Sequence, residues 1–210
     1  MFSFNRNNPN ILRTIKDSEK IYLTFDDGPD PDCTPQVLDL LLDYKVKSSF
    51  FVIGNEASRH SSLLNRMLKE GHALYSHSID HKYNNFFASE KRLQQWVQKS
   101  QDQLSQLTGV QSKLFRPPAG VITPPLLRIA SRLDLKIILW AHRFYDALWT
   151  LEPKHIKHKI DYFKNGEIIL LHDRQRLRNR KKFIGSLKIL LETMSQKQFA
   201  MAPIIEQEIK

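Results

Sequence analysis

Asp26 and Asp27 are consecutive, His77 and His81 lie four residues apart, and a further histidine, His172, is followed directly by Asp173. These side chains hold divalent ions and move protons. At helical spacing His77 and His81 present both imidazoles on one face of a turn. Two imidazoles and one carboxylate make a facial metal site that leaves positions open for water and substrate. Neighbouring side chains at a strand end diverge, so one aspartate can reach an ion while the other faces the reacting water. Blander readings stand beside these. An isolated His-x-x-x-His pair often binds nothing, and Asp27-Gly28-Pro29 is ordinary turn chemistry.

The elements that must position these residues are short apolar runs alternating with amphipathic segments. Strands are expected at 21–25, 49–53, 73–76, 114–116, 136–140, 167–172 and 199–204. Helices are expected between them: one capped by Thr34 with Pro35 at its first position, and one from Ser61 or Ser62 stopping at Gly71. Further helices run from the Ser89 cap to Gly109, from Thr123-Pro124, over 153–163 and over 184–194. Repeated βα units with buried, non-alternating strands predict a parallel sheet with helices outside, about one unit short of an eight-stranded barrel. The C-terminal strand ends of such a fold form its catalytic face. Asp26-Asp27, His77 to His81, Arg116 to Gly120, Asp146 and His172-Asp173 all fall there.

The 210 residues suit one domain, divided as an N-terminal extension over 1–20 and a catalytic unit over 21–210. A single cysteine, Cys33, excludes an internal disulfide framework and any multi-cysteine zinc site. No signal-peptide pattern and no membrane-length apolar run is present, which points to a cytoplasmic protein, peripheral at a membrane at most. The net charge of +10 favours anionic partners. Six of the cations lie between Arg174 and Lys182 without an acid among them. That stretch is expected to be a loop beside the site, either solubilising or a contact for phosphate or anionic lipid.

Thr24-Phe25-Asp26-Asp27-Gly28-Pro29, His77-Ser78-Ile79-Asp80-His81, Arg116-Pro117-Pro118-Ala119-Gly120 and Leu170-Leu171-His172 together resemble four ordered motifs of the polysaccharide deacetylases, the NodB-homology domain of carbohydrate esterase family 4. Cys33-Thr34-Pro35-Gln36-Val37-Leu38 and Phe50-Phe51-Val52-Ile53-Gly54 resemble the chitooligosaccharide deacetylases in particular. The resemblance implies a distorted (β/α)7 barrel and a hydrolase that removes N-acetyl groups from amino sugars, the substrate being an N-acetylglucosamine-containing oligosaccharide, glycan or glycolipid. It implies that Asp27, His77 and His81 hold a divalent metal, usually zinc, with cobalt, nickel or manganese as alternatives. Asp26 would be the base acting on the attacking water, and Arg116 would orient it as a carboxylate. The Ala119 N–H would stabilise the oxyanion. His172 would protonate the departing amine with Asp146 behind it, and Leu170 would receive the acetyl methyl.

The chain departs from the family pattern at the fourth motif, which normally reads Asp-x-x-Asp-Trp. Arg143 stands at the first aspartate and Ala147 at the tryptophan, with Trp149 near enough to replace the ring in part. Ala119 also replaces the usual aromatic. These changes bear on sugar specificity more than on hydrolysis. Other features have bland readings: His155 and His158 on a solvated helix face, His142 as a packed or rim histidine, Cys33 as an unactivated thiol. Phe50 and Phe51 read as core, while Phe86 and Phe87 are either core or a sugar-stacking shelf. Rival functions are deacetylation or deformylation of a polyprenyl-phosphate-linked sugar at a membrane, a silent carbohydrate-binding module, and, last, nucleic-acid binding, for which no motif is present.

Overall fold

The computed structural model describes residues 8–147 and 152–209. Its centre is β2 (Lys20–Asp26), with six of seven residues buried. Such a strand needs neighbours on both edges and cover on both faces. On one side follow β3 (Ser49–Val52), β4 (Ala73–Ser76), β5 (Leu114–Phe115), β6 (Lys136–Ile138) and β1 (Ile11–Leu12). On the other lie β8 (Ile168–His172) and β7 (His142–Arg143), and β9 (Ala200–Met201) pairs with the start of β2. Every one of these ladders is parallel. The sheet curls into a distorted barrel with the helices outside, as the βα alternation predicts.

The helices are α1 (Thr34–Asp43), α2 (Gly54–Arg59), α3 (Ser61–Lys69), α4 (Glu90–Thr108), α5 (Pro124–Arg132), α6 (Pro153–Ile160) and α7 (Leu177–Gln196). Local chemistry sets several ends. Ser89 and Thr123 accept from the amides of Arg92 and Leu126, and Gly109 ends α4 in the left-handed region. Leu38 and Leu41 of α1, with Leu187, Leu190 and Leu191 of α7, are fully buried against β2 and β8 in one core. A second core lies between α4, α5 and the β5–β6 edge, built on Leu93, Val97, Leu126, Ile129 and Ile137. Among the described residues, no helix is long and apolar enough to cross a membrane.

The structure corrects the expected elements in four places. β1 joins the sheet from within the stretch read as an extension, pairing Ile11 with Ile137 and Leu12 with Ile138. Strand β7 and helix α2 were not foreseen. Thr34 begins α1 but does not cap it; its hydroxyl accepts from the Asp30 amide and donates to Asp173. The basic stretch is a loop only over Arg174 to Arg176, because α7 starts at Leu177 and carries Arg178 to Lys182 in its first turns. Cations at a helix N-terminus oppose the macrodipole. Here acids from elsewhere offset them: Arg180 reaches Asp32 at 3.1 Å and Lys182 reaches Glu152 at 2.7 Å.

Candidate active site

The residues with chemistry meet at the C-terminal ends of the strands. β2 ends on Asp26, after which Asp27, at φ +74°, turns the chain. The His77 to His81 segment leaves β4 as a loop and not as the helical turn its spacing suggests, with Ser78 and His81 at φ +74° and +57°. Helix α2 holds that loop. The amides of Gly54 and Asn55, unsatisfied within the helix at its first turn, donate to the carbonyls of Ser78 and Ile79 at 2.9 Å each. The imidazoles of His77 and His81 end with centroids 5.0 Å apart.

Asp27 Oδ1 lies 3.4 Å from His77 Nε2 and 3.2 Å from His81 Nε2. One ligand atom from each residue falls within 4.8 Å of the others. His77 Nδ1 is 2.8 Å from the Arg116 carbonyl, which fixes Nδ1 as the protonated nitrogen and frees Nε2 to ligate. Burial raises the Asp27 carboxyl, but the nearby imidazoles of His77 and His81 and the charge of His172 outweigh it and hold the group well below the usual carboxylate range. Asp27 Oδ1 is nonetheless buried without a conventional hydrogen-bond partner. A buried carboxylate oxygen facing two imidazole nitrogens is a donor set suited to a divalent cation.

Asp26, 2% exposed, sits on one flank of this cluster. Its Oδ1 accepts from Arg116 Nη1 at 2.6 Å, while Oδ2 is 3.7 Å from His77 Nε2. Arg116 is fully buried, and burial lowers its pKa against the opposing pull of Asp26. Its other donors reach Thr24 Oγ1 at 2.8 Å and the carbonyls of Ile138 and Leu139, and its guanidinium lies 3.8 Å from the Phe51 ring centroid. The arginine is a strut tying four strands to one carboxylate.

His172 occupies the opposite flank. Its Nδ1 lies 3.0 Å from Asp146 Oδ1, and its amide donates to Asp146 Oδ2 at 2.7 Å. Gln175 Nε2 adds a bond to Asp146 at 3.2 Å. Burial disfavours the imidazolium of His172, but Asp146, with Asp26 and Asp27 beyond it, outweighs burial and raises its pKa to about 9. The next residue, Asp173, is fully buried beneath the Asp27-Gly28 turn, and burial raises it to about 7 against the Thr34 hydrogen bond. A Cβ at Gly28 would meet Asp173 Oδ2 at 2.1 Å, so only glycine fits that close approach.

Between the flanks opens a cavity of about 220 Å³. The expected residues Asp26, Asp27, His77, His81, Ala119, Leu170 and His172 line it, as do Tyr83, Trp140, Arg143, Tyr145 and Ala147. Ala119, at φ +51°, is held there by the bend after Pro118. Arg143 and Ala147, the two departures of the fourth motif, thus stand on the cavity wall, whereas the aromatic walls Tyr83, Trp140 and Tyr145 were missed, although each lies within or near a motif in sequence. Tyr83 lies edge-on to His81 at 5.2 Å. Trp149 lies outside the described residues. Phe86 is core, against Trp96, whereas Phe87 is 84% exposed. His142 is a packed histidine, half-buried, bonded to Glu167 and set against Phe163, and His155 and His158 are exposed on α6. Cys33 is buried, its thiol pushed up to about 12 chiefly by that burial, which makes it inert.

Comparison with known proteins agrees with this geometry. The family model described as polysaccharide deacetylase matches residues 13–138. The chain is 30% identical over 91% of its length, and 90% of the relative's, to a peptidoglycan-N-acetylglucosamine deacetylase of Bacillus cereus. It is 26% identical to the chitooligosaccharide deacetylase of a Bradyrhizobium strain, over 97% of the chain and 95% of that protein. Of several other curated relatives it spans about a third of the length. Among solved structures, the Bc1960 peptidoglycan N-acetylglucosamine deacetylase superposes with a TM-score of 0.82 at 25% identity, covering 92% of this chain and 90% of that one. The chain therefore belongs to the polysaccharide deacetylases, the amide-hydrolysing enzymes of carbohydrate esterase family 4.

Proposed function

We propose that this protein is a metal-dependent hydrolase that removes the acetyl group from N-acetylglucosamine units of a glycan. One juxtaposition carries the reading: a carboxylate oxygen without a conventional partner faces two imidazoles, flanked by a carboxylate tied to an arginine and an imidazole tied to a carboxylate. The names of the relatives support the choice of sugar. Amide hydrolysis at neutral pH needs an activated water, a counter-charge for the acyl oxygen and a proton for the departing amine. Asp27, His77 and His81 would hold a divalent ion, for which zinc suits the two-nitrogen, one-oxygen donor set, and its charge would lower the pKa of a nearby water and polarise the carbonyl.

The chain's own residues do the rest. Asp26 takes the proton of the attacking water on Oδ2, because Oδ1 is committed to Arg116. The amide of Ala119, a residue that lines the pocket in a left-handed bend, donates to the developing oxyanion. His172 protonates the leaving nitrogen through Nε2, since Nδ1 faces Asp146. Leu170, 3% exposed, shapes the floor where the acyl methyl fits.

The test is incubation of the zinc-, cobalt-, nickel- or manganese-loaded protein with N-acetylglucosamine oligomers and peptidoglycan fragments. Acetate and free amine should appear in equal amounts; no acetate from any substrate with any metal overturns the reading. A pH prediction follows from the second flank. Because Asp146 raises His172, Asp146→Asn lowers the imidazole pKa, and the acid form is then lost at lower pH. The basic limb of kcat/KM is expected to move down by about one unit or more, with kcat falling roughly 100-fold. An unmoved limb removes His172 as the acid.

A further inference from the structure

We propose that Arg143 is a specificity residue that docks an oxyanion of the substrate, so that the enzyme prefers N-acetylated amino sugars carrying a carboxylate or phosphate near the acetamido group. The inference rests on the deacetylase reading and names its substrate class more narrowly. Arg143 places a guanidinium on the wall of the cavity.

The other charges around the cavity are matched. Asp26 pairs with Arg116 and Asp146 with His172, while Asp27 belongs to the His77–His81 cluster. Nearby cations on the rim also have acids: Arg59 and Arg174 share Glu56, and Arg180 reaches Asp30 and Asp32. Arg143 makes no ion pair with a carboxylate among the described residues. It is not loose, however. Its Nη2 donates to Tyr145 Oη at 2.9 Å, its guanidinium lies 4.1 Å from the Tyr145 ring centroid and 5.9 Å from that of Trp140, and Lys159 Nζ donates to its backbone carbonyl. One of five N–H donors is thus spent on orientation, and a planar fork remains to bind two oxygens side by side.

An oxyanion reaching this fork must be attached close to the amide being cleaved, because Arg143 and the Asp27–His77–His81 cluster line the same cavity. A lactyl ether on the carbon next to the acetamido carbon supplies a carboxylate at that range, and a sugar phosphate supplies the same chemistry from another source.

The experiment compares matched pairs: an N-acetylated oligosaccharide with a 3-O-lactyl carboxylate against its methyl ester, and a phosphorylated one against its unphosphorylated parent. In at least one pair the wild type should favour the charged member by about tenfold in kcat/KM, the scale of one charge-assisted bidentate contact. Arg143→Gln should bring that ratio near one through KM, Arg143→Lys should retain part of it, and 0.5 M salt should erode it in the wild type. Whichever pair responds identifies the source of the oxyanion. No preference in either pair, or a ratio untouched by Arg143→Gln, overturns the proposal. Calorimetric titration with the already deacetylated charged glycan separates the two readings. Arg143-dependent binding without acetate release from any substrate sinks the deacetylase reading alone, and acetate release indifferent to charge sinks only this one.

Discussion

Asp26→Asn is expected to lower kcat by about 10³-fold or more while metal stoichiometry stays at the wild-type value. The two halves of that expectation have separate causes. The amide is isosteric and still offers Arg116 an oxygen, so the pocket keeps its shape, but it cannot accept the proton of an attacking water. Asp26 also lies outside the Asp27–His77–His81 cluster, so the donor set is intact. A structural cost accompanies the kinetic one. Arg116 is fully buried and loses the counter-charge of Asp26, although Thr24, two carbonyls and the Phe51 face remain to it. Breaking a buried pair from one side costs about 3–5 kcal/mol, which for a chain of this size lowers Tm by roughly 10 °C. Activity is therefore measured well below that transition and metal content determined on the same sample. More than a tenth of wild-type turnover would remove Asp26 from the role of base.

The parts of the fold legible in the sequence are those whose signal is local. A strand occurs at each of the seven expected places, six of them because a strand within a parallel sheet is largely apolar, while the last shrinks from 199–204 to the unburied pair Ala200–Met201; the caps at Ser89 and Thr123 lie where hydroxyl side chains precede a periodic segment. What escaped depends on distant partners. β1 and β7 have two residues each, too few for any periodicity, and they exist because β6 and β8 supply their hydrogen bonds. Helix α2 is six residues with little apolar pattern and is held by the loop it clamps. The basic start of α7 reads as a loop because its own charges oppose a helix there. Asp30, Asp32 and Glu152, all remote in sequence, remove the objection.

The site shows the same division. The motif residues were legible as chemistry, and Asp26, Asp27, His77, His81, Ala119, Leu170 and His172 do line one cavity, with Arg116 and Asp146 directly behind. The conformation delivering them was not legible, since His-x-x-x-His suggests a helix while the chain uses left-handed residues at Ser78 and His81. Tyr83, Trp140 and Tyr145 lacked a signal of their own, because an aromatic beside a motif reads as core until a surface is known. Gln175 and Thr34 act on carboxylates through hydrogen bonds that no spacing rule announces.

His77→Ala is expected to weaken metal binding by at least about 100-fold, more than the usual loss of a supporting contact. The donor set is small, so removing one imidazole leaves a carboxylate and a single histidine, and Asp27 loses one of the two imidazoles whose approach offsets its burial. The measurement need not involve turnover. A ligand that binds only the folded state at 100 times its Kd stabilises that state by about 2.7 kcal/mol. In a chain of this length that corresponds to a rise in Tm of roughly 5–10 °C when metal is added to the metal-free wild type. His77→Ala should show no rise at the same metal concentration, and His81→Ala should behave alike. Gln98→Ala, on the exposed face of α4 and not among the residues that line the cavity, should keep the full rise as a control for handling. If His77→Ala still gains the wild-type increment, the ion is held elsewhere. Water activation at this pocket then has no source, and the amidase chemistry built on Asp26 and His172 loses the centre around which both are arranged.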